Sequence, residues 1–356
     1  MLFILWAHLG LLPGYGQTQG AWPCQLLQYL RGVGDDLFFG LTAWFLCEKA
    51  SSFHTSCRRV WQMEKQLLFY SLGMFAICSA VWLLGVYPML HSWFDWAHLA
   101  VASVAPVLTG LWWYPTAYVI FILMHPWIDR GLHAIGRTGH GVLSVVGLIF
   151  WGVLPFFTNG MGLSAFMFLY MYVPMSYLRW YLPQVERSRT VAWQVFGIGV
   201  AMVLASCVLN GMTGGQWSYG AQAWSAPSML TALGAILLCG QARPFHSRVV
   251  NVIAASTLPV YLIHMYWPVT IWLQATLLRA EADLLDSPWA LFGTHFALLL
   301  AVYAAIVVID LLRKALFAVT VDRPGHNGNG FERAWDRMVK WAPGLSESEA
   351  QTADHT

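Results

Sequence analysis

The chain has 356 residues, of which 58% are hydrophobic, 10% charged and 20 are Trp; one soluble core cannot bury that much apolar surface, which calls for lipid. Its formal net charge of +2 comes with no basic stripe interleaved with aromatics, which argues against a nucleic-acid partner. The six cysteines (Cys24, Cys47, Cys57, Cys78, Cys207 and Cys239) are scattered without a CxxC or a metal-ligand spacing, so neither a disulfide framework nor a metal site is expected.

Ten apolar segments follow in chain order, at 1–14, 34–47, 66–87, 112–128, 141–157, 162–178, 191–209, 228–240, 253–276 and 291–312. They predict an all-α, polytopic transmembrane helix bundle of about ten helices. The first, within MLFILWAHLGLLPGYG, lacks the basic start and small-residue cleavage site of a signal peptide. It is also shorter than the ~20 residues that cross a hydrocarbon core, which predicts a helix beginning upstream of Met1.

Basic residues in the connections fall on alternate sides. Lys49, Arg58, Arg59, Lys65, Arg130, Arg137, Arg179, Arg187, Arg189, Arg243, Arg248 and the six of the C-terminal stretch share one side, against Arg31 and Arg279 on the other. Because basic loops stay preferentially on the cytoplasmic side, both termini are expected there.

Residues 1–319 then form the membrane domain and 320–356 a polar cytoplasmic tail, with a disordered end. Within the tail, Phe331, Trp335, Met338 and Trp341 recur at helical spacing, the mark of an amphipathic helix able to lie on the membrane surface. No internal repeat of the kind that betrays many transporters is visible.

Ionisable groups in apolar spans are costly and point to function or to pairing inside the protein. His8 lies in the first span, Asp35 and Asp36 open the second, His125 ends the fourth, His264 sits within the ninth, and His295 and Asp310 flank the tenth. Asp310 precedes Arg313 and Lys314 by three and four residues, so helical pairing is its better explanation. His8 reads equally well as a hydrogen-bonded core residue or as a base that takes a proton from a hydroxyl.

His264 stands between Pro259 and Pro268, where an interrupted helix can line a cavity. Arg58 and Arg59, in SSFHTSCRRVWQMEKQ, serve topology first, but guanidinium groups also bind phosphate. Trp113, in the cluster Trp112-Trp113-Tyr114, suits an interfacial aromatic belt.

Several segments in this order resemble the bacterial integral-membrane acyltransferase-3 superfamily, whose members O-acylate cell-surface and exported carbohydrates. They are LWAHLG around His8, GDDLFFGLTAWFL, RRVWQMEKQLLFYS, LWWYPTAYVIFILMHPWID, GLSAFMFLYMYVPMSYLRWY and NVIAASTLPVYLIHMYWP. Three departures stand out. The Arg that the family carries eleven residues before its essential His would fall before Met1. Thr42-Ala43 stand where the family has Ser-Gly, and Arg58 and Arg59 are adjacent rather than spaced.

The resemblance implies a multi-pass protein of the cell membrane that moves an acetyl or other short acyl group from acetyl-CoA or another acyl-CoA to a sugar hydroxyl, the carbohydrate being free or lipid-linked. His8 would be the base or a transient acyl carrier, Asp36 would orient it, and Arg58 and Arg59 would hold the donor phosphates. Trp113, Tyr118, Tyr261 and His264 would line the acceptor side, and no metal is needed. A transporter or glycan-handling permease without acyl chemistry is the competing reading.

Overall fold

A computed structural model describes residues 1–10, 22–48, 52–158, 164–213, 219–284, 286–323 and 327–342. The tail end expected to be disordered and residues 11–14 of the first segment lie outside them. Among the described residues the regular structure is helical throughout.

In chain order the helices are α1 (Leu2–Leu9), α2 (Trp22–Gln28), α3 (Arg31–Leu46), α4 (Phe53–Leu83), α5 (Trp93–Val104), α6 (Trp113–Ala134), α7 (Gly136–Gly147), α8 (Pro155–Thr158), α9 (Ser164–Tyr181), α10 (Pro183–Arg187) and α11 (Arg189–Met212). The chain continues through α12 (Ala226–Gly240), α13 (Arg248–Ala254), α14 (Thr257–His264), α15 (Trp267–Glu281), α16 (Pro288–Val319) and α17 (Asn327–Trp341). Serines start several of them. Ser52 Oγ accepts from the Thr55 backbone N–H at 3.2 Å, Ser92 from Asp95 at 3.1 Å and Ser188 from Val191 at 3.3 Å, each filling one of the orphan donors of a first turn.

Five stretches are long and apolar enough to cross a membrane: Phe53–Leu83, Gly136–Phe157, Arg189–Met212, Tyr219–Gly240 and Pro288–Val319. The pair broken after His264 makes a sixth if it counts as one span. Every expected segment meets a helix, although several of those helices are short. On α11 the exposed residues include Trp193, Ile198, Leu204 and Val208, an apolar outer surface suited to lipid and not to water. The protein is a multi-pass membrane protein.

The chain divides into two compact units. The first comprises Met1–Glu48, Leu132–Asn251 and Trp267–Tyr303. Its most extensive helix pair is α11 with α12, and α12 and α9 both pack on α3. Close approach there depends on Gly234, where a β-carbon would sit 2.4 Å from the Phe196 backbone nitrogen. Between α7 and α8 the helix widens into a π turn, Leu148–Val153, and Pro174 lies inside α9.

The second unit comprises Lys49–Gly131, Val252–Tyr266 and Ala304–Thr356. Here α4 is 31 residues long, about 46 Å at the helical rise. That exceeds the ~30 Å hydrocarbon core, so the polar end carrying Arg58, Arg59 and Lys65 projects past it. The amphipathic helix expected in the tail is present as α17, and it packs on that projecting end. The Phe331 and Trp335 rings lie 5.1 and 4.8 Å from His54, and Glu332 Oε2 is 3.0 Å from His54 Nε2. Part of the apolar face therefore meets protein, while Met338 and Trp341 remain exposed.

Candidate functional site

In the first unit His8 occupies the last turn of α1, half-buried. Its carbonyl accepts from Gln274 Nε2 at 2.7 Å, which ties α1 to α15. Trp6, two residues earlier, lies edge-on to His295 at 4.6 Å, and His295 Nδ1 meets Glu281 Oε1 at 2.7 Å with both side chains buried. This His–Glu pair joins α15 to α16; Glu281 lies beyond the apolar segment read at 253–276.

Asp36 is fully buried, and neither carboxylate oxygen has a hydrogen-bond partner. The orienting bond to His8 implied by the resemblance is therefore not formed. Helical phase explains why. A β-carbon on Gly34 would meet Ile4 Cγ1 at 3.0 Å and Phe3 Cβ at 3.2 Å, so the Gly34 face of α3 is the one turned to α1. Asp36 stands two residues on, about 200° around the helix, and lines a cavity bounded by α9, α12 and the π turn. At the departure Thr42-Ala43, Ala43 is fully buried and the Thr42 hydroxyl donates to the Phe38 carbonyl at 3.3 Å.

In the second unit a polar pocket of ≈ 330 Å³ opens between the projecting ends of α4 and α16 and the helix α17. Arg58, Lys65 and Arg313 supply positive charge, and Trp61, Phe317 and Phe331 supply aromatic faces. Arg58, Trp61, Gln62 and Lys65 fall at offsets of three, four and seven, one face of α4. Asp322 also lines the pocket and pairs with Lys65 at 2.9 Å. The Arg313 guanidinium lies 5.0 Å from the Phe317 ring centroid.

Arg59 does not line this pocket. Adjacent residues on a helix point about 100° apart, and Arg59 lies instead within electrostatic range of Tyr118 and His125. Its Nη1 is buried and has no hydrogen-bond partner. The structure thus separates the two arginines expected to share the donor phosphates and brings one of them to Tyr118, expected on the acceptor side. Tyr118 and His125 are seven residues apart on α6, on one face, with His125 fully buried.

His264 is fully buried at the end of α14, its Nδ1 donating to the Val260 carbonyl at 2.5 Å. That fixes the proton on Nδ1 and leaves Nε2 as acceptor in the neutral ring. The helix breaks at Met265 and Tyr266, before Pro268. The Tyr261 ring lies 5.9 Å from His264 and 6.0 Å from Tyr114, and Trp113, 5.5 Å from Tyr114, opens α6. Tyr114 therefore links the aromatic pair at the start of α6 to the aromatic residues of α14. Among the described residues, no three His, Cys, Asp or Glu side chains gather as metal ligands.

The family model described as an acyltransferase domain matches residues 1–310. The chain belongs to the acyltransferase-3 family. It is a membrane acyltransferase, and the family match spans α1 through Asp310, reaching into both units. Sequence reading took Lys65 for topology, Arg313 for topology and pairing with Asp310, and Phe331 for an amphipathic helix, and it passed over Trp61. The signal that would have found the α4 members is the helical face they share with Arg58. No curated protein and no solved structure matches this chain.

Proposed function

We propose that this acyltransferase takes an acetyl or other short acyl group from an acyl-CoA and transfers it to a hydroxyl of a cell-surface or exported carbohydrate, at the cell membrane. The observation that carries the donor half is the pocket of Arg58, Lys65 and Arg313 with Trp61 and Phe331. Cationic side chains suit phosphate oxygens and aromatic faces suit a purine ring, the two features of the nucleotide end of CoA. The pocket is too small for the whole carrier, so it receives that end alone. The acceptor half rests on the family resemblance and on the aromatic faces of Trp113, Tyr118 and Tyr261 with His264 beside them, groups that suit sugar rings and hydroxyls.

In the reaction, the acceptor oxygen attacks the thioester carbonyl as His8 takes its proton. The carbon–sulfur bond then breaks, the acyl group stays on the acceptor oxygen, and the CoA thiolate leaves and is protonated from the imidazolium. If transfer proceeds in two stages, His8 itself carries the acyl group between them. Arg58 acts on the donor through charge, and Arg59 acts beside Tyr118.

The test uses purified protein in lipid nanodiscs with radiolabelled acetyl-CoA and a carbohydrate extract of the source cells. Label in the carbohydrate fraction is the expected result. His8→Ala lowers the transfer rate roughly 10²- to 10⁴-fold, the usual loss for a general base, and Arg58→Glu raises the KM for acetyl-CoA at least tenfold. Carbohydrate moved across vesicle membranes with no label transferred would overturn the reading in favour of transport.

A further inference from the structure

The first unit contains a second cavity, of ≈ 240 Å³, that the donor and acceptor roles above do not use. Its walls are Leu148 and Val153 of the π turn, Met171, Pro174 and Met175 of α9, and residues of α12 from Ala226 to Ile236. Asp36 is the one ionisable side chain among them. Two helix irregularities border it. The π turn forms part of one wall and Pro174, which lacks a backbone N–H donor, stands in another, and π insertions recur at functional sites.

A fully buried carboxyl with no hydrogen-bond partner on either oxygen is expensive to keep. Its cost is offset when a ligand brings a donor. The ligand's shape follows from the rest of the lining, which is apolar; a sugar ring entering there would strand several hydroxyls for the one it satisfied. The space also exceeds the ~150 Å³ cavity that accepts benzene, so it suits a body of more than six carbons. An ammonium group would bring a charge to be desolvated in an apolar, lipid-embedded space, whereas a neutral hydroxyl would not.

We infer that this cavity is a binding site for an apolar molecule carrying a single hydroxyl, whose O–H donates to Asp36 while its hydrocarbon body packs among Met171, Met175, Met229 and Ile236. The inference does not depend on the donor or the acceptor proposed above. Two sources share this chemistry: a free medium-chain alcohol, and the hydroxyl of a membrane lipid such as a diacylglycerol.

The probe is a diazirine-bearing octanol, photolysed with the full-length protein in nanodiscs of phosphatidylcholine, a lipid without a free hydroxyl. Cross-links are mapped by mass spectrometry. Expected is labelling at Met171, Met175 or Met229 that exceeds labelling by the probe's O-methyl ether about 2- to 10-fold, the size of a net hydrogen bond. Asp36→Leu should remove that difference. Met229→Trp, which fills the space and keeps the carboxyl, should lower labelling by the alcohol at the remaining sites.

Competition identifies the source. Displacement by 1-octanol alone assigns the site to a free alcohol, and displacement by dioctanoylglycerol assigns it to a lipid hydroxyl; either supports the inference. Equal labelling by alcohol and ether, a preference unchanged in a folded Asp36→Leu protein, or labelling confined to the octylammonium analogue would overturn it.

Discussion

At the residue scale, intramembrane charge in this protein divides between groups that are fully satisfied and groups that are not. Asp310 is the satisfied extreme. Fully buried, it accepts from Tyr70 at 2.8 Å and Ser256 at 2.7 Å, and it pairs with Arg313 and Lys314 at 2.8 Å each. The pairing read from the three- and four-residue spacing is present, and the same carboxylate also ties α4 and the start of α14 to α16. Asp310→Ala would leave Arg313 buried without its carboxylate, and breaking one side of a buried pair costs about 3–5 kcal/mol. The expected outcome is a marked drop in the denaturant midpoint in detergent. Asp310→Asn should fall between the variant and the parent, because it keeps acceptor capacity for Tyr70 and Ser256 without the charge. Equal stability of all three proteins would show that the hub contributes nothing.

The two arginines after α4 begins show what sequence reading resolved at this scale and what it did not. Residue type was enough to single out Arg58 and Arg59 as topology determinants and candidate phosphate ligands. Direction was not, because it depends on where the helix starts and on which neighbours its faces meet. With α4 beginning at Phe53, Arg58 joins Trp61, Gln62 and Lys65, and Arg59 goes to Tyr118 and His125. Asp36 illustrates the same limit: its chemistry was visible in GDDLFF, but which neighbour it faces is set by the packing of α3.

At the element scale, hydropathy made the spans legible because lipid demands long apolar runs whatever their packing. Elements whose existence depends on tertiary neighbours were not legible. The helix α5 has only 12 residues and carries Asp95 and His98; it forms against α4 and is capped by Ser92. The π turn before Pro155 has no hydropathy signature, since its residues are as apolar as their neighbours. The interruption near His264 was readable from Pro259 and Pro268, although the break falls at Met265 and Tyr266, between the prolines.

The helix α17 was legible because its period survives in a polar context, but its partner was not. Phe331 both lines the proposed donor pocket and packs over His54, so docking of α17 should be coupled to donor binding. Replacing Phe331 and Trp335 together with Ser removes two buried aromatics, each contributing about 1.5–3 kcal/mol by burial. Faster hydrogen exchange across 327–342 is expected, with a KM for acetyl-CoA raised several-fold and the exchange of α16 between 288 and 303 unchanged. An unaltered KM with a freely exchanging α17 would separate the helix from the pocket.

At the scale of the whole molecule, topology turns on parity: each added or missing crossing moves everything after it to the other side of the membrane. The charge pattern puts 88–111 outside and the tail inside, and α5, unread in the sequence, lies within that outer connection. At 12 residues it spans about 18 Å, well short of the ~30 Å hydrocarbon core, so α5 by itself does not alter the parity that the charge pattern predicts. Leu108 and Trp341 are each 90% exposed and so offer sites for labelling. In a cysteine-free background, Leu108→Cys should react with a membrane-impermeant maleimide in intact cells, and Trp341→Cys only after permeabilisation. Reaction of both from the same side would mean that an odd number of crossings separates them from the expected arrangement. Reversed labelling, with Trp341→Cys reacting in intact cells and Leu108→Cys only after permeabilisation, would mean either that α5 inserts through the bilayer with its flanking turns or that the basic residues of α4 and α16 do not hold the cytoplasmic face, and with them would go the assignment of their pocket to a cytoplasmic donor.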